Sequence, residues 1–163
     1  WNQGGQVLGA KTVILHPNYT GSWDWDIGLV KTDKKIVFGK NVKPIKLGTK
    51  TLAGDTKASV AGWGEYDDSG NPSSTLLEAK VTVYDWKKCQ SIYSEDLTQH
   101  LMCSFDKKVA PCIYDSGDPL VVKGKVYGLF AGGYGCTPNV YPVLYTDVPS
   151  LYKWIQSTIK NNQ

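Results

Sequence analysis

The feature that most constrains this chain is a series of short apolar runs, each cut off by turn residues. Residues 6–16 alternate and are rich in Val, Leu and Ile, and residues 26–31 and 57–62 read as buried strands. Residues 76–84 alternate cleanly, with Leu77, Ala79, Val81 and Val83 on one side, and residues 119–122, 125–130 and 142–148 complete the series. Between them stand Gly21-Ser22, the Asp67–Pro72 cluster and Gly132-Gly133. Many short strands at such spacing predict an all-β barrel or sandwich. Two helices are predicted beside them. The first covers residues 85–93, with Asp85 as its N-cap. The second follows Pro149-Ser150 and puts Leu151, Trp154, Ile155 and Ile159 on one face.

Composition narrows the function classes. The chain has 163 residues, enough for one domain or two small ones, and 41% are hydrophobic, so a core can be buried. With 20% charged and 12% aromatic residues it is not a disordered chain. No apolar stretch approaches the ~18 residues of a membrane span, and residues 1–5 have neither the basic start nor the apolar run of a signal peptide. The net charge is +3, and all 18 basic residues are lysine, dispersed along the sequence. A nucleic-acid binder would cluster its basic residues and use arginine forks, so nucleic acid is excluded as a partner. Cys89, Cys103, Cys112 and Cys136 form no Cys-x-x-Cys pair, which favours two disulfides over zinc. The sequon Asn18-Tyr19-Thr20 is a candidate glycosylation site and points, with the cysteines, to an oxidising, secretory setting.

Chemistry concentrates in Cys112-Ile113-Tyr114-Asp115-Ser116-Gly117-Asp118-Pro119. A nucleophilic serine needs a tight, glycine-assisted turn that exposes its oxygen, and N–H groups aimed at the developing oxyanion. This segment resembles the Gly-Asp-Ser-Gly-Gly-Pro signature of chymotrypsin-like serine proteases. His16-Pro17-Asn18-Tyr19, Asp24-Trp25-Asp26-Ile27-Gly28-Leu29, Ala61-Gly62-Trp63-Gly64, Leu101-Met102-Cys103, Tyr127-Gly128-Leu129 and Trp154-Ile155 resemble the family's other motifs, in its order. The likeness extends over essentially the whole chain. It implies a double six-stranded antiparallel β-barrel with a C-terminal α-helix. Residues 1–50 would form the second half of the first barrel, with three of its strands. Residues 51–148 would form the second barrel, and residues 149–163 the helix and tail.

The resemblance also implies roles. Ser116 matches the nucleophile and Asp26 the aspartate that orients the catalytic histidine. The backbone N–H groups of Tyr114 and Ser116 match the oxyanion hole. Asp115 matches the carboxylate that pairs with the amino terminus freed on activation. Cys89–Cys103 and Cys112–Cys136 are the implied disulfides. Ala110, Gly133 and Val143 match the lining of the primary specificity pocket, which would then be apolar and shortened. No metal or other cofactor is implied.

The catalytic histidine has no counterpart. His16 matches a non-catalytic surface position, and His100 lies just before Cys103. The expectation is therefore a two-chain enzyme: a smaller N-terminal light chain, cut from the same precursor before Trp1, would carry the missing strands and the histidine. Secreted, glycosylated, fibrinolytic two-chain proteases are a loose parallel. Its substrates would be proteins or peptides. Several positions depart from the family: Tyr114 and Asp118 stand where it has glycine, and Ala131-Gly132-Gly133 replaces Ser-Trp-Gly, losing an aromatic wall of the cleft. These departures motivate the alternative of a catalytically impaired homologue that binds or regulates.

Overall fold

The computed structural model describes residues 5–65, 71–135 and 140–162. Trp1 and Cys136 lie outside the described residues. The first two strands, β1 (Ala10–Leu15) and β2 (Gly28–Thr32), pair antiparallel as a separate ribbon. The remaining strands are β3 (Lys46–Leu47), β4 (Lys57–Gly62), β5 (Leu77–Val83), β6 (Leu101–Phe105), β7 (Pro119–Val122), β8 (Lys125–Gly132) and β9 (Val143–Asp147). Six of these run β8-β7-β4-β5-β6-β9, and β9 pairs back onto β8. The result is a closed antiparallel barrel, which leaves no free sheet edge around its wall. The chain is thus all-β with one complete barrel and part of a second, as the sequence implied. Among the described residues, three strands stand outside the complete barrel: β1 and β2 as the ribbon, and the short β3, which adds in parallel to β8.

Alternation explains the barrel interior. Val60, Val81, Val83, Met102, Leu120, Phe130, Val143 and Tyr145 fill it. The inward side of β5 is covered only at its second half: Val81 and Val83 are buried and Leu77 is exposed. The ribbon is open to solvent on one side, against the buried strand expected over residues 26–31. Val13, Leu15 and Val30 face solvent at about 60% exposure each. The strand predicted from Asp26 starts only at Gly28, because Trp25 takes a left-handed backbone (φ 58°) that interrupts the extended run.

Helix α1 (Trp86–Tyr93) begins where Asp85 accepts a hydrogen bond from Lys88 N at 3.0 Å, the predicted cap. Its inner face packs Cys89 and Tyr93 against Leu101, Cys103 and Leu144. The Cys89–Cys103 disulfide pins α1 to β6 across a separation of 14 residues. A loop of that size is worth about 3 kcal/mol. The Cys89→Ser/Cys103→Ser double variant is therefore expected to lose about 3 kcal/mol of unfolding free energy in urea titration. Helix α2 (Tyr152–Asn161) buries Ile155, with Leu151 buried just before it. They pack with Ile27 of the ribbon approach and Val126 and Val148 of the barrel. Ile159 was expected on the same covered face but is 45% exposed, because it looks out over the open ribbon. There it lines a groove of about 300 Å³ with Ile14, Leu29 and Val30.

Candidate active site

Ser116 is exposed on a turn between buried Asp115 and strand β7. The turn is tight because two residues take positive φ: Tyr114 at 72° and Gly117 at 88°. Glycine accepts this region freely, whereas for tyrosine it stores about 1–3 kcal/mol of strain. The turn is nailed to the barrel by Gly117 N donating to Phe130 O (2.8 Å) and Phe130 N donating to Asp118 O (2.9 Å). Among the described residues, no acceptor takes the N–H of Tyr114 or of Ser116. The exposed hydroxyl is thus carried on a turn with two N–H groups that have no acceptor among the described residues.

Asp115 turns inward. Its carboxylate accepts from Gly64 N at 2.7 Å and from Cys112 N at 3.0 Å. Asp118 converges on the same point: a Cβ on Gly62 would collide with both carboxylates. Burial, a hydrogen bond with Asp115 and the charge of Asp115 push Asp118 up to about 7. Asp118 therefore keeps its proton up to near neutrality. The folded state holds that proton between the ordinary aspartate range and pH 7, while the unfolded chain has released it. Stability is thus expected to fall as pH rises through this window. Asp118→Asn should flatten the slope, as read by denaturant unfolding at pH 4.5 and 7.5.

Asp26 lies at the mouth of β2, half-buried, and burial raises its pKa. Thr146 Oγ1 donates to its backbone oxygen at 2.7 Å. Thr146 of β9 faces Leu129 of β8, one position from the Phe130 that holds the serine turn. The barrel thus anchors Asp26 and Ser116 to neighbouring rungs of one ladder. No described donor reaches the Asp26 carboxylate.

Both histidines are committed elsewhere. His16 was expected at the surface but is buried at 6% exposure. It stacks on Trp25 at 4.4 Å and tilts against Trp154 at 4.7 Å. Burial and nearby His100 lower its pKa. His100 covers the same indole (ring centroids 3.5 Å apart), and its Nδ1 lies 2.9 Å from Asp24 Oδ1. Asp24 also accepts from Thr98 Oγ1 at 2.7 Å. The layer His16–Trp25–His100–Asp24 holds the segment leading into Asp26, a role that pattern reading missed. Its one visible signal is the aromatic spacing Trp23-Asp24-Trp25.

Ala110 packs against the core cluster of the barrel, to which Val143, 3% exposed, belongs. A Cβ on Gly133 would lie 3.5 Å from Val143 Cα. Of the three expected pocket residues, Gly133 and Val143 are thus neighbours, and Ala110 lies against the same core cluster as Val143. Asn18 is exposed in the turn after β1. Cys112 is disulfide-bonded; its expected partner, Cys136, lies outside the described residues. No group of three or more potential metal ligands occurs among the described residues. No described helix is long and apolar enough to cross a membrane.

The chain matches the Trypsin family model over residues 1–155. It is 35% identical over 161 residues to trypsin theta of Drosophila melanogaster, covering 95% of this chain and 62% of that protein. It is 32% identical to trypsin of Sus scrofa, covering 96% of this chain and 70% of the pig protein. Among solved structures, neuropsin, a serine protease expressed in the limbic system of mouse brain, superposes with a TM-score of 0.90 at 28% identity. That match covers 94% of this chain and 72% of neuropsin.

Proposed function

The chain belongs to the trypsin family of serine proteases, and from that premise we propose that it is the nucleophile-bearing part of a secreted serine endopeptidase. The observation that carries this reading is the exposed Ser116 hydroxyl, held on a strained turn whose Tyr114 and Ser116 N–H groups have no acceptor among the described residues. Ser116 Oγ attacks the scissile carbonyl as a histidine takes its proton. The developing oxyanion is held by the N–H groups of Tyr114 and Ser116. Asp26 orients the histidine and stabilises its imidazolium. The leaving amine takes the proton back, and water then releases the acyl group by the same steps in reverse.

The histidine comes from outside these residues, since His16 and His100 are built into the scaffold. We place it on a smaller light chain of the same precursor. Two observations support a covering polypeptide: the ribbon exposes Val13, Leu15 and Val30, and an apolar groove opens beside it. The chain spans 62% of the length of Drosophila trypsin theta. Asp115, buried beside Asp118, receives the activating amino terminus. Ala110, Gly133 and Val143 line an apolar primary pocket that takes small or medium side chains. Cys112 pairs with Cys136, and Asn18 carries a glycan.

Diisopropyl fluorophosphate is expected to label Ser116 in the native material, with a mass spectrum resolving a smaller companion chain. An assembled enzyme that resists the reagent would sink the peptidase reading. Labelling of material that contains no second polypeptide would sink the light-chain reading alone. A second reading, a homologue that binds without cutting, is favoured by Tyr114, which is 60% exposed beside the nucleophile.

A further inference from the structure

Asp26 sits at the centre of a three-residue turn, closed by Ile27 N donating to Trp25 O at 2.8 Å. The next two carbonyls are also taken: Thr146 Oγ1 donates to Asp26 O, and His16 N donates to Ile27 O at 3.0 Å. Trp25 enters this turn in the left-handed region, at φ 58°, which a bulky side chain rarely adopts. Such a conformation persists only where its surroundings over-determine it. Here the surroundings are rings. His16 stacks on the indole at 4.4 Å and His100 covers it at 3.5 Å. Two rings that close to one indole centre cannot share a face, so the imidazoles bracket it.

His16 can hold this place only as a neutral ring. Its Nδ1 accepts from Asn18 N at 3.2 Å. A backbone N–H can only donate, so Nδ1 must present a lone pair, which the imidazolium lacks. A proton on Nδ1 would set two donors against each other inside a buried layer. Among the described residues, two titratable groups bear on that charge. His100, across the indole, opposes it, and Asp24, which His100 Nδ1 reaches at 2.9 Å, favours it. Helix α2 presents Trp154, which carries no charge. Burial first, and then His100, hold the His16 pKa below the ordinary histidine range against the pull of Asp24.

We propose that His16 is a positioning residue for Asp26 that works only while neutral: protonation at Nδ1 unfastens Trp25 and frees the turn that carries the carboxylate. The catalytic consequence rests on the peptidase reading; the unfastening does not. The unfolded chain takes up this proton below the ordinary histidine pKa of about 6.5. The folded chain resists it, so acid costs the folded state stability from there downwards.

The test compares the native protein with two variants that cannot ionise at this position. His16→Asn keeps an oxygen that can accept from Asn18 N, and His16→Phe keeps a ring on the indole. Either one suffices if it shows native near-UV circular dichroism at neutral pH. Each protein's kcat is normalised to its own plateau. In the acid limb the native kcat should fall up to about tenfold more per pH unit than that of the variant, as one extra essential unprotonated group requires. KM should not follow, since no substrate contact is involved. Near-UV circular dichroism reads the unfastening without turnover. The native protein should show a one-proton transition below pH ~6.5 that the variants lack. A transition without any divergence in kcat would make His16 purely structural and overturn the positioning role. A transition that survives in the variants belongs to another group and overturns the inference altogether. If no peptide is cut, the peptidase reading fails, and the inference stands or falls on the circular dichroism alone.

Discussion

Replacing Ser116 with alanine is expected to lower kcat on any peptide substrate by about 10⁶-fold while leaving the fold intact. The size follows from the division of labour at the site. The oxyanion donors and binding surface survive the substitution, and alone they leave a rate ~10³–10⁴ above that in water. On the proposed reading, what is lost is the covalent route, together with all the work that a histidine and Asp26 would do through Ser116. The hydroxyl is exposed, and no hydrogen bond ties it to the described structure, so stability should hardly change. Steady-state kinetics together with thermal melting check both halves. A Ser116→Ala protein that keeps its activity would move the nucleophile elsewhere.

Asp26→Asn is expected to lower kcat by about 10⁴-fold near neutral pH without weakening the fold. The amide cannot hold the imidazole in the reactive tautomer, nor balance the imidazolium that forms. The stability half follows from the carboxylate's surroundings. Burial raises its pKa, so the folded state disfavours the charged form. Above that raised pKa, charge at this site costs stability that an uncharged amide does not. The Asp26→Asn protein should therefore match or exceed its parent in urea unfolding at pH 7 while failing in turnover. A variant that loses stability and activity together would make Asp26 a structural carboxylate instead.

The parts of this design that could be read from the sequence are local ones. Asp115-Ser116-Gly117 is a turn motif, and Asp85 is a cap three residues from the N–H it serves. The strands over residues 57–62 and 119–122 coincide with β4 and β7, because each is one bounded apolar run. Strand β6 escaped pattern reading because its first four residues are all buried and show no alternation. Cys103 packs under α1, while Met102 points into the barrel. His16 looked like a surface residue because its cover comes from Trp154, at the far end of the chain. Gly132 looked like a lost wall for the same reason. The ring that fills its place belongs to Trp23, and no sequence period links two such distant positions.

Helix α2 carries no reactive group, yet it works as a strut shared by two walls. Its buried side touches the approach to Asp26 through Ile27 and Trp25, and the barrel through Val126 and Val148. Just beyond it, Asn162 O accepts from Lys31 Nζ on the ribbon. One wall holds the Asp26 carboxylate and the other holds the Ser116 hydroxyl, the proposed nucleophile. Reaction rates fall steeply when reacting groups are displaced by about 1 Å. The alignment tolerance of the site is therefore set by a helix at the opposite end of the sequence. Loosening that brace would misalign the reacting groups without altering a single one of them.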